Sequence, residues 1–462
     1  MSHTSDESVP GPGNGPARLG IFKKLAYALG QGGNVLTYQL ISTFVLTLYL
    51  PTAGKGEALV PEYLLGVGGF AGVGTYLVLN VLSRGIDTFF DPWIANVSDR
   101  SHSRFGRRRF FMAVSVLPLS VVTGLIFLPP TASSSTVNVV WLGVMLTTYY
   151  CLFSTYVAPY LALLPELVPD KKENTVVSTL QAAAALLGGL LATVVAPIVF
   201  LGGGDADRGP LKTMALVLAG VSFAMMVVPV MAIDEPRLVA RGAGEAKSHK
   251  PFLESLKATF AFGPFVPYVF GANLFFFGFT VIQTAVPFYV EVLLKRPLSD
   301  VALVIGPLFG VAALVFPAVA FVANKFGKKR VMIGAAVSMA ALMGVGVPLL
   351  ASVPWLALPL FALTGVPVAC FLAVPNSMLA DICDADARRT GERREAMFFG
   401  AQGFQQKIAL GVAAGLFQWV ASSFGWTVDD PLGVQLSGPL AAAALVGSAL
   451  CFSRYREHEV QQ

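Results

Sequence analysis

The sequence predicts an all-α membrane protein of twelve transmembrane helices, arranged as two pseudo-symmetric six-helix bundles, and three observations carry that reading. Hydrophobic residues make up 55% of the chain and charged residues only 13%, a balance at which a soluble domain would aggregate. Apolar runs of about 20 residues, the length that crosses a bilayer, recur along the chain. They are twelve in number, centred near residues 36, 80, 118, 152, 189, 222, 274, 312, 340, 368, 409 and 443. A basic-Phe-Gly-basic-basic segment also occurs twice: Arg104-Phe-Gly-Arg-Arg-Arg109 after the second run and Lys325-Phe-Gly-Lys-Lys-Arg330 after the eighth. Matching loops at matching places are what parallel transporter repeats produce.

Taken in order, residues 1–19 read as a flexible N-terminal tail rich in Gly, Pro and Ser, without the apolar core of a cleaved signal peptide. Residues 20–233 form the first bundle, 234–252 a linker, 253–453 the second bundle and 454–462 a C-terminal tail. Basic loops stay in the cytoplasm. Lys23 and Lys24, Arg104–Arg109, Lys171 and Lys172, Arg237–Lys250, Lys325–Arg330, Arg388–Arg394 and Arg454 with Arg456 alternate with loops poor in Lys and Arg. The pattern predicts a multi-pass protein of the cell (inner) membrane with both termini, and the linker, in the cytoplasm. The net charge of +5 is this loop bias and implies no nucleic-acid partner. Cys151, Cys370, Cys383 and Cys451 fall in or beside spans, where packing is their expected role.

The second run contains the chemistry. Asp87 and Asp91 are one helical turn apart, with Arg84 a turn before them, so the carboxylates share one face of a membrane helix. Ionisable groups at that depth cost a few kcal/mol and face the bundle interior or an aqueous cavity. Two carboxylates supply up to four oxygen ligands to a hard cation, and Pro92, lacking an N–H, frees the carbonyl of Thr88 to join them. One arginine does not neutralise two carboxylates, which favours a titratable or cation-binding site over a permanent ion pair. In the eleventh run Lys407 needs a buried partner, and the aspartates across the cavity are the candidates. His3, His102, His249 and His458 lie in tails or loops, so proton coupling would use Asp87 or Asp91. No Gly-x-x-x-x-Gly-Lys-Ser/Thr phosphate loop occurs, which points to an ion gradient as the energy source. Catalytic carboxylate dyads come from facing helices, whereas these share one helix, so an intramembrane enzyme is not expected.

Three stretches carry a family resemblance: Arg84-Gly-Ile-Asp87-Thr-Phe-Phe-Asp91-Pro92 with Ser103-Arg-Phe-Gly106-Arg; Val157-Ala-Pro159-Tyr160 through Pro165 to Asp170-Lys-Lys-Glu173; and Ser377-Met-Leu-Ala-Asp381-Ile-Cys-Asp384 with Thr390-Gly391-Glu-Arg393-Arg-Glu395 and Lys407. Together they resemble the glycoside-pentoside-hexuronide:cation symporters of the major facilitator superfamily, the melibiose permease-like transporters. The resemblance implies cation-coupled symport of a small organic solute, a sugar or glycoside, by a carrier without prosthetic cofactor, whose partners are the solute, Na⁺ or H⁺ and membrane lipids, and which works as a monomer. It implies that Asp87, Asp91, Thr88 and Ser154 hold the cation and that Arg84 and Lys407 couple charge to it. Asn34, Tyr38, Tyr160, Gln181, Gln402 and Gln406 would contact substrate. Arg104 and Arg107 would meet Asp381, Asp384, Arg393 and Glu395 in cytoplasmic gating contacts.

Departures from the family pattern bear on the solute. The acidic position of the fourth helix is Val157, that of the first falls near Asn34 or Val35, and the arginine of the fifth falls near Gln181. The same stretches also resemble the animal lysophosphatidylcholine symporters of this family, which keeps a lysophospholipid or other amphiphile as the alternative solute, with Phe275, Phe276, Phe277 and Phe279 as a candidate acyl-chain lining. A non-transporting sensor or scaffold on the same fold is the third reading.

Overall fold

The computed structural model describes residues 19–50, 57–61, 63–65, 73–99, 101, 103–168, 171–201, 208–238, 259–391 and 395–461. The tail at 1–18, most of the linker and Arg393 lie outside them, as do the side chains of Pro92 and Glu395. Twelve long helices occur among the described residues: α1 (Ile21–Tyr49), α2 (Thr75–Asp99), α3 (Arg109–Ile126), α4 (Thr136–Leu167), α5 (Lys171–Leu190), α6 (Gly209–Ala232), α7 (Phe265–Phe288), α8 (Val301–Phe326), α9 (Lys328–Leu349), α10 (Ala357–Thr390), α11 (Glu395–Phe424) and α12 (Leu432–Arg454). Helix α5 continues through a π-helical turn, Leu191–Val195, to Phe200, and α7 through another, Tyr289–Leu293. Between α1 and α2, residues 63–65 pair antiparallel with 73–74.

Ten of these helices, α3 to α12, are long and apolar enough to cross a membrane by length and composition. Helices α1 and α2 match them in length, with 29 and 25 residues, but carry the polar groups of the interior. Arg84, Asp87 and Asp91 lower the hydropathy of α2, and Asn34, Gln39 and several threonines that of α1. Large apolar side chains such as Val121, Val144, Leu216, Leu314, Val345 and Leu450 point outward. In water they would be a liability; in lipid they are the solvent-facing surface.

Packing repeats at an interval of six helices. Helix α1 packs on α5 and α6, α2 on α4, and α3 on α4 and α6; likewise α7 packs on α11 and α12, α8 on α10, and α9 on α10 and α12. Contacts between the halves obey the same relation, since α2 meets α11, α5 with its π turn meets α8, and α1 meets α7. Small residues let backbones approach where hydrophobic driving force is weak. Gly188 lies against the backbone of Gly32, so that a Cβ there would fall on the Gly32 carbonyl.

The repeated basic loops explain their sequence. Gly106 and Gly327 take φ of +106° and +89°, a region that favours glycine. Each turn delivers the next helix N-terminus onto a carboxylate: Glu235 accepts from the backbone N–H of Arg108 (3.0 Å) and Arg109 (2.7 Å) before α3, and Glu457 from Lys328 (2.8 Å) before α9. Glu235 follows α6 and Glu457 follows α12, so loop and acid repeat together.

Candidate functional site

The site lies where α2 of the first half faces α11 of the second. The Lys407 ammonium is 2.6 Å from Asp87 Oδ2 and 2.6 Å from Asp91 Oδ2. Ser154 on α4 donates from Oγ to Asp87 Oδ1 at 2.5 Å and receives a hydrogen bond from Lys407 Nζ at 3.1 Å. Three residues from two helices, Asp87 and Asp91 of α2 and Ser154 of α4, thus surround the positive charge that α11 supplies. Thr88 is buried beside them, and its hydroxyl donates to the Arg84 carbonyl at 2.6 Å, so the side chain is used within the helix. Asp87 is 2% exposed and Asp91, one turn nearer the side of the chain termini, 36%. Glycines on α11 bring the helices together: Gly411 abuts Asn80 and the stem of Arg84, and Gly415 abuts Leu77.

Arg84 does not staple the aspartates. Its guanidinium carbon sits 4.5 Å from the ring centroid of Tyr150 and 5.7 Å from that of Tyr38, and among the described residues no carboxylate ion-pairs with it. Cation–π contact holds such a group without discharging it.

The residues expected to touch substrate fall into two groups. Tyr38 is partly exposed beside Arg84, and Asn34 is buried one turn away on α1, its Oδ1 without a hydrogen-bond partner. Gln406 is partly exposed on α11. Tyr160 and Gln181, however, are buried inside the first half. Tyr160 stacks on Tyr27 at 4.6 Å, accepts from Gln181 Nε2 at 2.8 Å and donates to the Tyr27 carbonyl. Gln402 accepts from Tyr268 at 2.9 Å. These three serve helix packing in this arrangement. Sequence reasoning missed Asn273 on α7, which donates to Gln405 at 3.0 Å, and Gln283, which donates to Gln39 across the halves. The signal for Asn273 was present: Gly271-Ala272-Asn273 stands in α7 as Gly32-Gly33-Asn34 does in α1.

Of the expected gating residues, Arg393 and the side chain of Glu395 lie outside the described residues. Asp381 pairs with Lys328 at 2.5 Å inside the second half, while Arg104 and Asp384 are exposed. Phe275 is fully buried and stacked on Phe371 at 3.8 Å, which makes it packing and not a lining for an acyl chain.

The model of one family, MFS/sugar transport protein, matches residues 28–450, nearly the whole helical region. The chain belongs to this family. Members of the MFS/sugar transport family are secondary membrane transporters, not enzymes, and this chain is a multi-pass transporter of that fold. Among curated relatives, the isoprimeverose transporter of Lactiplantibacillus pentosus is 25% identical over 94% of this chain and 88% of its own length. The lactose permease of Leuconostoc lactis is 22% identical over 50% of this chain and 35% of its own. Among solved structures, a bacterial homologue of the human lysosomal transporter Spinster, inward-facing and unoccupied, superposes with a TM-score of 0.68 over 94% of this chain and 97% of that one, at 14% identity. The nucleoside transporter NupG gives 0.65 over 93% and 98%, at 12% identity. Likeness at such identities concerns the fold alone.

Proposed function

We propose that this protein is a cation-coupled sugar symporter working by alternating access between its two halves. One observation carries the reading: a lysine from one half occupies, as a tethered cation, the centre of a ligand set of two carboxylates and a hydroxyl on the other. A free Na⁺ or a proton entering that set would displace Lys407 and so alter the contact between α2 and α11, linking ion binding to the relation of the halves. Asp87, Asp91 and Ser154 are the cation ligands in this reading, Lys407 is their stand-in, and the solute takes Tyr38, Asn34 and Gln406. The names of the sugar-transporting relatives support a saccharide as the solute.

The termini face the cytoplasm in this reading, as the basic loops demand, and the arrangement is inward-facing. Asp91 is more open than Asp87, and the approaches of α1 to α7 and of α5 to α8 lie toward the opposite side, at Gln39–Gln283 and Val194–Gly306. The test is uptake of labelled isoprimeverose and lactose into proteoliposomes under imposed Na⁺, Li⁺ or proton gradients. Uptake driven by one gradient and lost in Asp91→Asn supports the assignment; cation-dependent uptake that survives Asp91→Asn overturns it.

A further inference from the structure

Resting on that symport reading, we infer that the ends of α1 and α7 away from the chain termini hold a second solute station, a set of hydroxyls and amides that binds a neutral saccharide when that side opens and passes it to the central site.

Five polar side chains carry it. Gln39, Thr43 and Thr47 follow one another at one-turn spacing in the outer half of α1 and so share a face, and Gln283 and Thr284 are neighbours near the end of α7. The hydrogen bond from Gln283 to Gln39 ties the two groups together across the halves. All five are buried, Thr43 and Thr284 completely.

A threonine inside a helix can satisfy its hydroxyl by donating to the carbonyl one turn back. Thr88, Thr123, Thr147 and Thr193 do so, at 2.6 to 2.8 Å. Thr43, Thr47 and Thr284 do not: among the described residues their hydroxyls have no hydrogen-bond partner. A buried hydroxyl without a partner costs free energy, and valine, of the same shape, would fill the place without that cost. Closure of this side therefore strands three hydroxyls, and opening it gives them partners. The bond between Gln39 and Gln283 parts in the same step and frees an amide on each helix.

These groups offer chemistry of one kind. None is charged; each threonine both donates and accepts, and each glutamine presents an acceptor and two donors. A saccharide hydroxyl likewise donates and accepts, so a neutral polyhydroxylated solute satisfies the set, whereas an acyl chain would leave it unpaired. Because the station exists only while that side is open, it acts on capture from there and leaves the central contacts at Tyr38, Asn34 and Gln406 as they are.

The experiment measures half-saturation of transport in oriented proteoliposomes, from each face in turn, for whichever of isoprimeverose and lactose the unaltered protein carries. Three paired variants are compared, Thr43→Val/Thr284→Val, Thr43→Ala/Thr284→Ala and Thr43→Ser/Thr284→Ser, with their melting temperatures alongside. From the outer face the half-saturating concentration should rise about fivefold or more in the valine and alanine pairs alike, the order of one neutral hydrogen bond. The serine pair, which keeps both hydroxyls, should retain the original value, and none should change it from the face of the chain termini. Valine and alanine fill the closed seam differently, so they shift the balance between closed and open forms, and the melting temperature, by different amounts. Half-saturation that follows melting temperature in place of hydroxyl content overturns the inference, as does an unchanged value in both pairs or an equal rise from both faces. Any of these results from a protein that transports sinks the station alone; if neither sugar is carried under any gradient, the symport reading fails with it.

Discussion

Lys407 of the second half lies 2.6 Å from Asp87 of the first, and this contact places a charge from one bundle inside the ligand set of the other. Removing one member of a buried ion pair leaves the other uncompensated, at a cost of about 3 kcal/mol or more. The Asp91 contact, whose carboxylate is over a third exposed, adds about 1 kcal/mol or less. Lys407→Met should therefore lower the melting temperature in a buffer free of the coupling ion. Saturating ion should recover most of the loss, since a ligand present at 100 times its Kd stabilises by about 2.7 kcal/mol. The ion-induced shift should exceed that of the unaltered protein; equal shifts in the two would show that Lys407 does not compete for the site.

Ser154 Oγ is 2.5 Å from Asp87 and 3.1 Å from Lys407, so it orients the carboxylate and adds a neutral oxygen to the set. Ser154→Ala deletes that oxygen without altering charge. Cation affinity should fall about tenfold, the order of one hydrogen bond to a charged group, and the ion-free protein, which loses its bond to Asp87, should be destabilised by about 1.5 kcal/mol or more. Titration of the melting temperature with Na⁺ and Li⁺ reads both, and an unchanged midpoint would exclude Ser154 from the coordination sphere.

Glu235 and Glu457 make the same prediction twice. Each carboxylate caps a helix N-terminus, α3 and α9, through backbone N–H groups, where both the hydrogen bonds and the helix dipole favour negative charge. Glu235→Gln and Glu457→Gln should each cost about 1 kcal/mol, and the double variant about their sum, because distant sites add. Gly106→Ala should cost more, about 1–3 kcal/mol, for forcing a side chain into positive φ against Glu235. Denaturation midpoints measure all four.

The folded arrangement was legible in the sequence where the physics is local or repeated. Spans follow from runs of apolar residues, the shared face of Asp87 and Asp91 from the helical period, and the two halves from the Phe-Gly loops. Tyr160 and Gln181 read as solute contacts because a polar residue in a span looks alike whether it lines a cavity or ties helices together; in this arrangement they bond to each other and to Tyr27. Arg84 was read beside its acidic neighbours on α2, but a side chain reaches what surrounds it in space, here Tyr38 of α1 and Tyr150 of α4. The carboxylate caps escaped notice because each acid is more than 120 residues from its helix, although their matched positions after α6 and α12 would have revealed them.

Gln39 on α1 and Gln283 on α7 share a hydrogen bond between the halves, on the side away from the chain termini. If the halves rock about the central site, this contact must open when that side opens, and an amide bridge is weak enough to do so, at about 1 kcal/mol net. A covalent bond is not. In a background where Cys151, Cys370, Cys383 and Cys451 are replaced by serine or alanine, Gln39→Cys with Gln283→Cys should oxidise to a disulfide that holds that side closed. Uptake should cease on oxidation and return on reduction, while either single variant transports throughout. Cross-linked protein should still gain thermal stability from the coupling cation, because the path from the terminal side to Asp91 stays open. Full uptake in the cross-linked state would rule out separation of α1 and α7 as part of the transport cycle.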